Sequence, residues 1–242
     1  MTEICITDGA AKANGLRYIK NSVAEITAKT GAAVRLTEQG ARCRLTFDCP
    51  EYYSDILHAE VADKIAEVIV VGYKYEYFKT AIKVAGLNRV EREILFASLI
   101  AADLTEDKKY AFERIKNVRE TAIDGVYNFR LKPLKNKWKD VAEYMPTCFI
   151  GEQLKEFVSF LLENKKKRAY IDDCKVYDNY YRRLKRCVLL GDDIGEDCEI
   201  VREVIMSGCG EVEIRGALPE TDEKYLKEFF GDKVYFAHNA SF

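Results

Sequence analysis

Apolar and polar positions alternate at the start of the chain. In residues 3–7, Glu3-Ile4-Cys5-Ile6-Thr7, Ile4 and Ile6 fall on one face, the period of a β-strand. From about residue 11 the period lengthens to three and four, with Leu16, Ile19, Val23 and Ile26 in one stripe. That predicts a helix over 11–29, ended by Gly31 as its C-cap. Strands are expected at 33–37 and 42–47 around Glu38-Gln39-Gly40, a hairpin signature. The first fifty residues therefore read β-α-β-β, a small α/β lobe closed by Pro50.

The helical period then dominates. Tyr53, Ile56, Leu57, Val61, Ile65, Val68 and Ile69, continued by Gly72, Tyr75, Phe78 and Ile82, predict one long helix or two broken near Gly72. A helix over 90–102 follows. Another begins after Leu104, with Thr105 as N-cap and Glu106 and Asp107 in its first turn. Pro133 lacks an N–H and restricts Lys132, so it starts a new helix over 133–145 whose Leu134, Trp138, Val141 and Met145 share one face. Pro146 ends it, and a further amphipathic helix covers 151–163.

From residue 165 the pattern returns to strands, at 169–177 and 183–190, although Tyr180-Tyr181-Arg182-Arg183-Leu184 also suits a helix. A helix over 196–206, a strand over 211–215, a helix over 222–230 closed by Gly231 and a strand over 233–236 complete the chain. A β-α-β-α-β ending implies parallel strands joined by right-handed crossovers. The expected class is α+β, divided into a small α/β lobe (1–50), a helical region (51–164) and a C-terminal α/β lobe (165–242).

Charge changes this picture more than composition does. The 242 residues, 48% hydrophobic, suffice for one large core or two smaller ones. The net charge of −2 argues against a strong non-specific pull on nucleic acid by the whole chain. Its distribution is uneven: −1 over 1–104, +7 over 105–190 and −8 over 191–242. A basic centre beside an acidic end suggests lobes that face each other or a polar partner surface. Eight cysteines without a CxxC, and a start lacking a basic region followed by an apolar run, suggest free thiols in the cytosol. The apolar runs 94–104 and 68–72 are too short to span a bilayer, so no membrane partner is expected.

At Gly125-Val126-Tyr127-Asn128-Phe129-Arg130-Leu131-Lys132 the sequence resembles the YtxC-like family of sporulation proteins, which carries an Asn-Phe-Arg-Leu-Lys phrase after a helical region. The order helix, strand, helix, strand at the end of the chain, with Glu211-Val212-Glu213-Ile214-Arg215-Gly216 and Tyr225-Leu226-Lys227-Glu228-Phe229-Phe230-Gly231, resembles that family's closing pattern. The similarity covers about residues 90–240. It implies a setting in endospore-forming bacteria and a structural role for Tyr127, Asn128, Phe129 and Arg130, and it supplies no catalytic residues. Some relatives carry cysteines in the closing tail. Here the tail is His238-Asn239-Ala240-Ser241-Phe242, so metal or redox chemistry is not carried over.

The candidate chemistry is sparse. Arg130, Lys132, Lys135, Lys137 and Lys139, interleaved with Phe129 and Trp138, are candidate contacts to a partner or to nucleic acid. Lys165, Lys166, Lys167 and Arg168 extend that set, with Arg182, Arg183, Lys185 and Arg186 beyond them. Cations around aromatics can track phosphates and stack bases. The plainer reading places Trp138 in a packing stripe with the lysines solvated, and has Arg130 tying loop carbonyls together. Asp192, Asp193, Glu196, Asp197 and Glu199 lack an EF-hand spacing and suit the first turn of a helix. Gly9-Ala10-Ala11-Lys12-Ala13-Asn14-Gly15 lies where phosphate loops occur but is neither a Walker A nor a GxGxxG sequence, which leaves a plain β-to-α turn. His58 and His238 have no evident nucleophile partner. No cofactor and no metal are expected. The leading expectation is a non-enzymatic protein-interaction module of the sporulating cytosol. Nucleic-acid binding through the basic segments comes second, and a metal-dependent hydrolase using Asp192, Asp193 or Asp172 and Asp173 third.

Overall fold

The computed structural model describes residues 1–191 and 198–237, and the chain is α+β. It falls into two compact units, each built from separate stretches of sequence. One comprises Met1–Glu76 and Thr105–Val141, the other Tyr77–Leu104 and Ala142–Phe242. Among the described residues no helix is long and apolar enough to cross a membrane.

The first unit is organised by a four-stranded sheet in the order β2-β3-β1-β4. Strand β1 (Thr2–Gly9) pairs antiparallel with β3 (Arg42–Cys49), which pairs antiparallel with β2 (Ala33–Gln39). The alternation read from residues 3–7 is the register: Ile4 faces Phe47, Ile6 faces Leu45, and all four are buried. The helix expected over 11–29 is two helices, α1 (Ala13–Ser22) and α2 (Ala24–Thr30). They part at β-branched Val23, whose backbone leaves the helical region while its side chain stays buried. Gly31 caps α2 in the left-handed conformation (φ 67°).

Helix α3 (Ser54–Glu67) runs through a π-helical stretch, Val68–Tyr73, into α4 (Lys74–Ala81). The predicted alternatives were one helix or a break at Gly72; a π stretch is a third solution, which shifts the phase of the buried stripe without ending the helix. Gly15 accommodates it, since a Cβ there would lie 2.9 Å from Val68 Cγ1. Helix α5 (Arg89–Ile115) is continuous where two helices were expected. Thr105 has the chemistry of a cap, but no Gly or Pro breaks the chain around it, and the buried stripe of Ile100, Leu104, Ala111 and Ile115 carries straight through.

The sequence pattern missed β4 (Glu120–Ala122), three residues paired parallel to β1. It pairs along β1, and just before it His58 Nε2 lies 2.9 Å from the Val118 carbonyl oxygen. A single turn, α6 (Ile123–Gly125), and a second π-helical stretch, Val126–Arg130, carry the Asn-Phe-Arg phrase into α7 (Lys132–Tyr144). Pro133 lies in the first turn of α7, as its missing N–H requires.

The second unit holds a separate four-stranded sheet, β6-β5-β7-β8. Strands β5 (Arg168–Asp172), β7 (Glu211–Arg215) and β8 (Val234–Phe236) are parallel, as the β-α-β-α-β ending predicts. The expected strand over 169–177 is instead a hairpin of β5 with β6 (Lys175–Tyr177). Asp173 (φ 49°) and Cys174 (φ 56°) turn it with two consecutive left-handed residues, the primed-turn geometry that suits strand twist. The expected strand over 183–190 is a single bridge at Arg183 followed by a 3-10 turn, Arg186–Leu190, which buries Cys187, Leu189 and Leu190. Helices α8 (Gly151–Leu162), α9 (Glu199–Ser207) and α10 (Glu220–Phe230) complete the unit. Gly210 is obligatory, because a Cβ there would overlap the Lys165 carbonyl oxygen. The acidic cluster at 192–197, the start of the helix predicted from 196, and His238 lie outside the described residues.

Candidate functional site

In the first unit two polar networks, one of them reaching the surface, fix the Gly125–Lys132 phrase. Asp107 on α5 accepts hydrogen bonds from Lys74 Nζ (2.8 Å) and Trp138 Nε1 (2.9 Å) on one oxygen and from Lys137 Nζ (3.0 Å) on the other. Burial pushes this carboxyl up, but the Lys74 ammonium and the hydrogen bonds outweigh it and hold it below the ordinary carboxylate range. Trp138 is fully buried, so it cannot stack on a base. The second network lies at the carboxyl end of β1. Asp8 accepts from Tyr73 Oη (2.7 Å) and from the Gly9 N–H (2.8 Å), and burial raises its pKa. Its other oxygen is buried without a hydrogen bond. Arg42 clamps Asp124 with two hydrogen bonds of 2.9 and 2.8 Å, which lowers the Asp124 pKa.

On that base the phrase divides into anchors and exposed groups. Tyr127 packs on Tyr73 at 4.7 Å between ring centroids and stacks on Trp138 at 6.0 Å. Asn128, Phe129, Arg130 and Lys132 are exposed, Phe129 by 77%. Lys135 turns back to Asn128 Oδ1 (3.3 Å) and over the Tyr127 ring, Lys137 turns to Asp107, and Lys139 is exposed. The five cations of the 130–139 segment therefore do not form one free row. The Gly9–Gly15 stretch is equally committed: the Gly9 N–H bonds Asp8, and the Ala10 N–H bonds the Ala41 carbonyl at 2.8 Å.

In the second unit Lys165, Lys166 and Lys167 are exposed, whereas Arg168 lies within a larger surface. The sheet buries Ala169, Ile171, Val176, Val212 and Ile214 on one face, and period-2 alternation puts Arg168, Tyr170, Lys175, Tyr177, Glu213, Arg215 and Tyr235 on the other. The register aligns Tyr177, Tyr170, Glu213 and Tyr235 in one row across all four strands. Tyr181, left-handed at φ 58°, stacks on Tyr170 at 4.3 Å. Asp178 fixes that loop by accepting from the Tyr180 and Arg182 N–H groups. Arg168 bonds Glu211 (2.8 Å) and Glu213 (3.2 Å) and lies over the Tyr235 ring, and Arg215 bonds Glu213 at 3.0 Å. Tyr180, Tyr181 and Tyr235 are 67%, 58% and 41% exposed.

No protein-family model, curated protein or solved structure matches the chain. The chemistry is therefore read from the side chains alone. Among the described residues no three His, Cys, Asp or Glu side chains are grouped to hold a metal ion. Asp172 is exposed at the end of β5 and Asp173 pairs with Lys175 at 2.6 Å. The tyrosine row was visible in sequence only as alternation in Arg-Ala-Tyr-Ile-Asp and Glu-Val-Glu-Ile-Arg; its assembly depends on a register that no single strand encodes.

Proposed function

We propose that the chain is a YtxC-like, non-enzymatic interaction module of the sporulating cytosol that docks a protein partner on the open face of the β6-β5-β7-β8 sheet. The observation that supports this reading is the tyrosine row with Arg168 and the stacked Tyr181. Tyrosine and arginine are the residues in which protein interfaces are rich, because they bury large areas at a small cost in side-chain entropy. The charges of the face already pair with one another, Arg168 with Glu211 and Glu213 and Arg215 with Glu213, so the surface is pre-organised and offers little net attraction for phosphates. Tyr181→Ala and Tyr235→Ala are expected to abolish capture of a specific partner from nuclease-treated sporulating extract. Both should keep their unfolding free energy within about 1.5 kcal/mol, the scale of one aromatic pair. Capture that survives both substitutions, or no partner at all, removes this reading.

Nucleic-acid binding is the second reading, favoured by the three consecutive exposed cations Lys165, Lys166 and Lys167. It requires an affinity that falls steeply with salt, by a log–log slope of about −0.7 to −0.9 per phosphate neutralised. A flat salt titration of a labelled oligonucleotide rules it out.

A further inference from the structure

A second feature of the same unit lies apart from the tyrosine row in chemistry and residues. The last residues of α4, the segment that follows it and the start of α5 enclose a pocket of about 530 Å³. That volume falls in the range of small-ligand sites, roughly 300–1,000 Å³. Its apolar lining is Ile82, Val84 and Phe96, each exposed by less than a tenth. Its cations are Lys79, Lys83 and Arg92, and its one carboxylate, Glu93, is buried and faces Arg202 at 3.6 Å. Lys83 and Arg92 are exposed, and among the described residues neither side chain makes an ion pair or a hydrogen bond.

The wall of this pocket is also held in place. Ala85 donates its N–H to the Thr147 carbonyl and accepts from the Phe149 N–H, both at 2.9 Å. Gly86 adopts φ +93°, and a Cβ there would lie 2.8 Å from the Phe149 carbonyl oxygen, so the two segments approach as only glycine allows. A pre-formed apolar floor beside unpaired cations is the arrangement that recognises an anionic head on an apolar body.

We propose that this pocket binds a small organic phosphate monoester, with the phosphate between Lys83 and Arg92 and the apolar group over Ile82, Val84 and Phe96. A phosphate is preferred to a carboxylate because its charge of about two matches two unpaired cations, and it keeps a third oxygen for Lys83 while the arginine fork holds the other two.

Calorimetric titration of the full chain with phenyl phosphate, inorganic phosphate, benzoate and phenol tests the assignment. Phenyl phosphate should bind saturably, with inorganic phosphate and benzoate weaker and phenol silent. Lys83→Ala and Arg92→Ala should each weaken phenyl phosphate by about tenfold or more, the worth of one charge-assisted hydrogen bond. Both side chains are exposed, so the thermal midpoint should not move, and the exposed Lys20→Ala should leave binding unchanged. No saturable binding of phenyl phosphate, equal binding of phenol, or unchanged affinity in the Lys83→Ala/Arg92→Ala double variant would overturn the proposal. These outcomes are independent of partner capture by the tyrosine face, so either idea can fail alone.

Discussion

Asp107→Ala is expected to lower the unfolding free energy by about 3–5 kcal/mol, the usual cost of removing one member of a buried ion pair. Lys74 and Asp107 are 1% and 2% exposed at their side chains, so neither charge is relaxed by water. The substitution takes away the carboxylate facing the Lys74 ammonium and the acceptor of the Trp138 Nε1–H, while Lys137, 40% exposed, can turn to solvent. Asp107→Asn should cost less, because an amide oxygen still accepts from Trp138. The double variant Lys74→Met/Asp107→Leu should recover part of the loss, since apolar side chains replace a buried pair at little cost while the Trp138 Nε1–H stays without its acceptor. Urea unfolding of the four proteins decides the matter. A loss under about 1 kcal/mol for Asp107→Ala would show that the pair does not hold α4, α5 and α7 together.

Much of the architecture was legible because burial follows period. Ile4 and Ile6 on β1, the hairpin at Gly40, the Gly31 and Gly231 caps and the parallel closing strands are local signals, and each carries its own physical cause. Where local signals mislead, a long-range contact outweighs them. Thr105 looks like a cap, yet two positions later Asp107 is drawn into the ion pair with Lys74, and the helix continues through both. β4 has too few residues to show a period and exists because β1 offers it an edge. The turn at Asp173-Cys174 lacks glycine, so its left-handed geometry was hidden in a sequence that otherwise alternates evenly from 169 to 177.

The candidate surfaces were legible only as composition. A run of lysines from 130 to 139 looks uniform, but α7 separates Lys137, committed to a buried carboxylate, from exposed Lys132 and Lys139. In sequence Arg168 follows three lysines and looks like the fourth member of their run. In the fold its guanidinium points along the sheet to Glu211 and Glu213, more than forty residues away. Tyr170, Tyr177 and Tyr235 meet through strand register, which one sequence does not disclose.

Stability should also depend on pH through Asp222, with a sign opposite to ordinary acid denaturation. Helix α9 lacks a side-chain cap of its own, since Cys198 before it is left-handed (φ 56°). Asp222, fully buried on α10, fills that place by accepting the Val201 N–H at 2.8 Å. Burial pushes its carboxyl from the ordinary 3.8 to about 6, against the Val201 N–H and Arg202, which pull it down. A group raised in the folded state stabilises most below its unfolded pKa and loses that contribution as pH rises through the folded value. The shift corresponds to about 3 kcal/mol, lost between about pH 4 and pH 7. Asp107 and Asp124, lowered on folding, act in the reverse direction at lower pH, so the wild-type curve alone mixes the two effects. Asp222→Asn isolates the effect of this carboxyl, because the amide keeps the acceptor for Val201 and cannot ionise. Its unfolding free energy relative to wild type should therefore rise by about 3 kcal/mol from pH 4 to pH 7.5. A difference that stays constant across that interval, or that moves the other way, would mean that the Asp222 carboxyl is ionised in the fold at no cost.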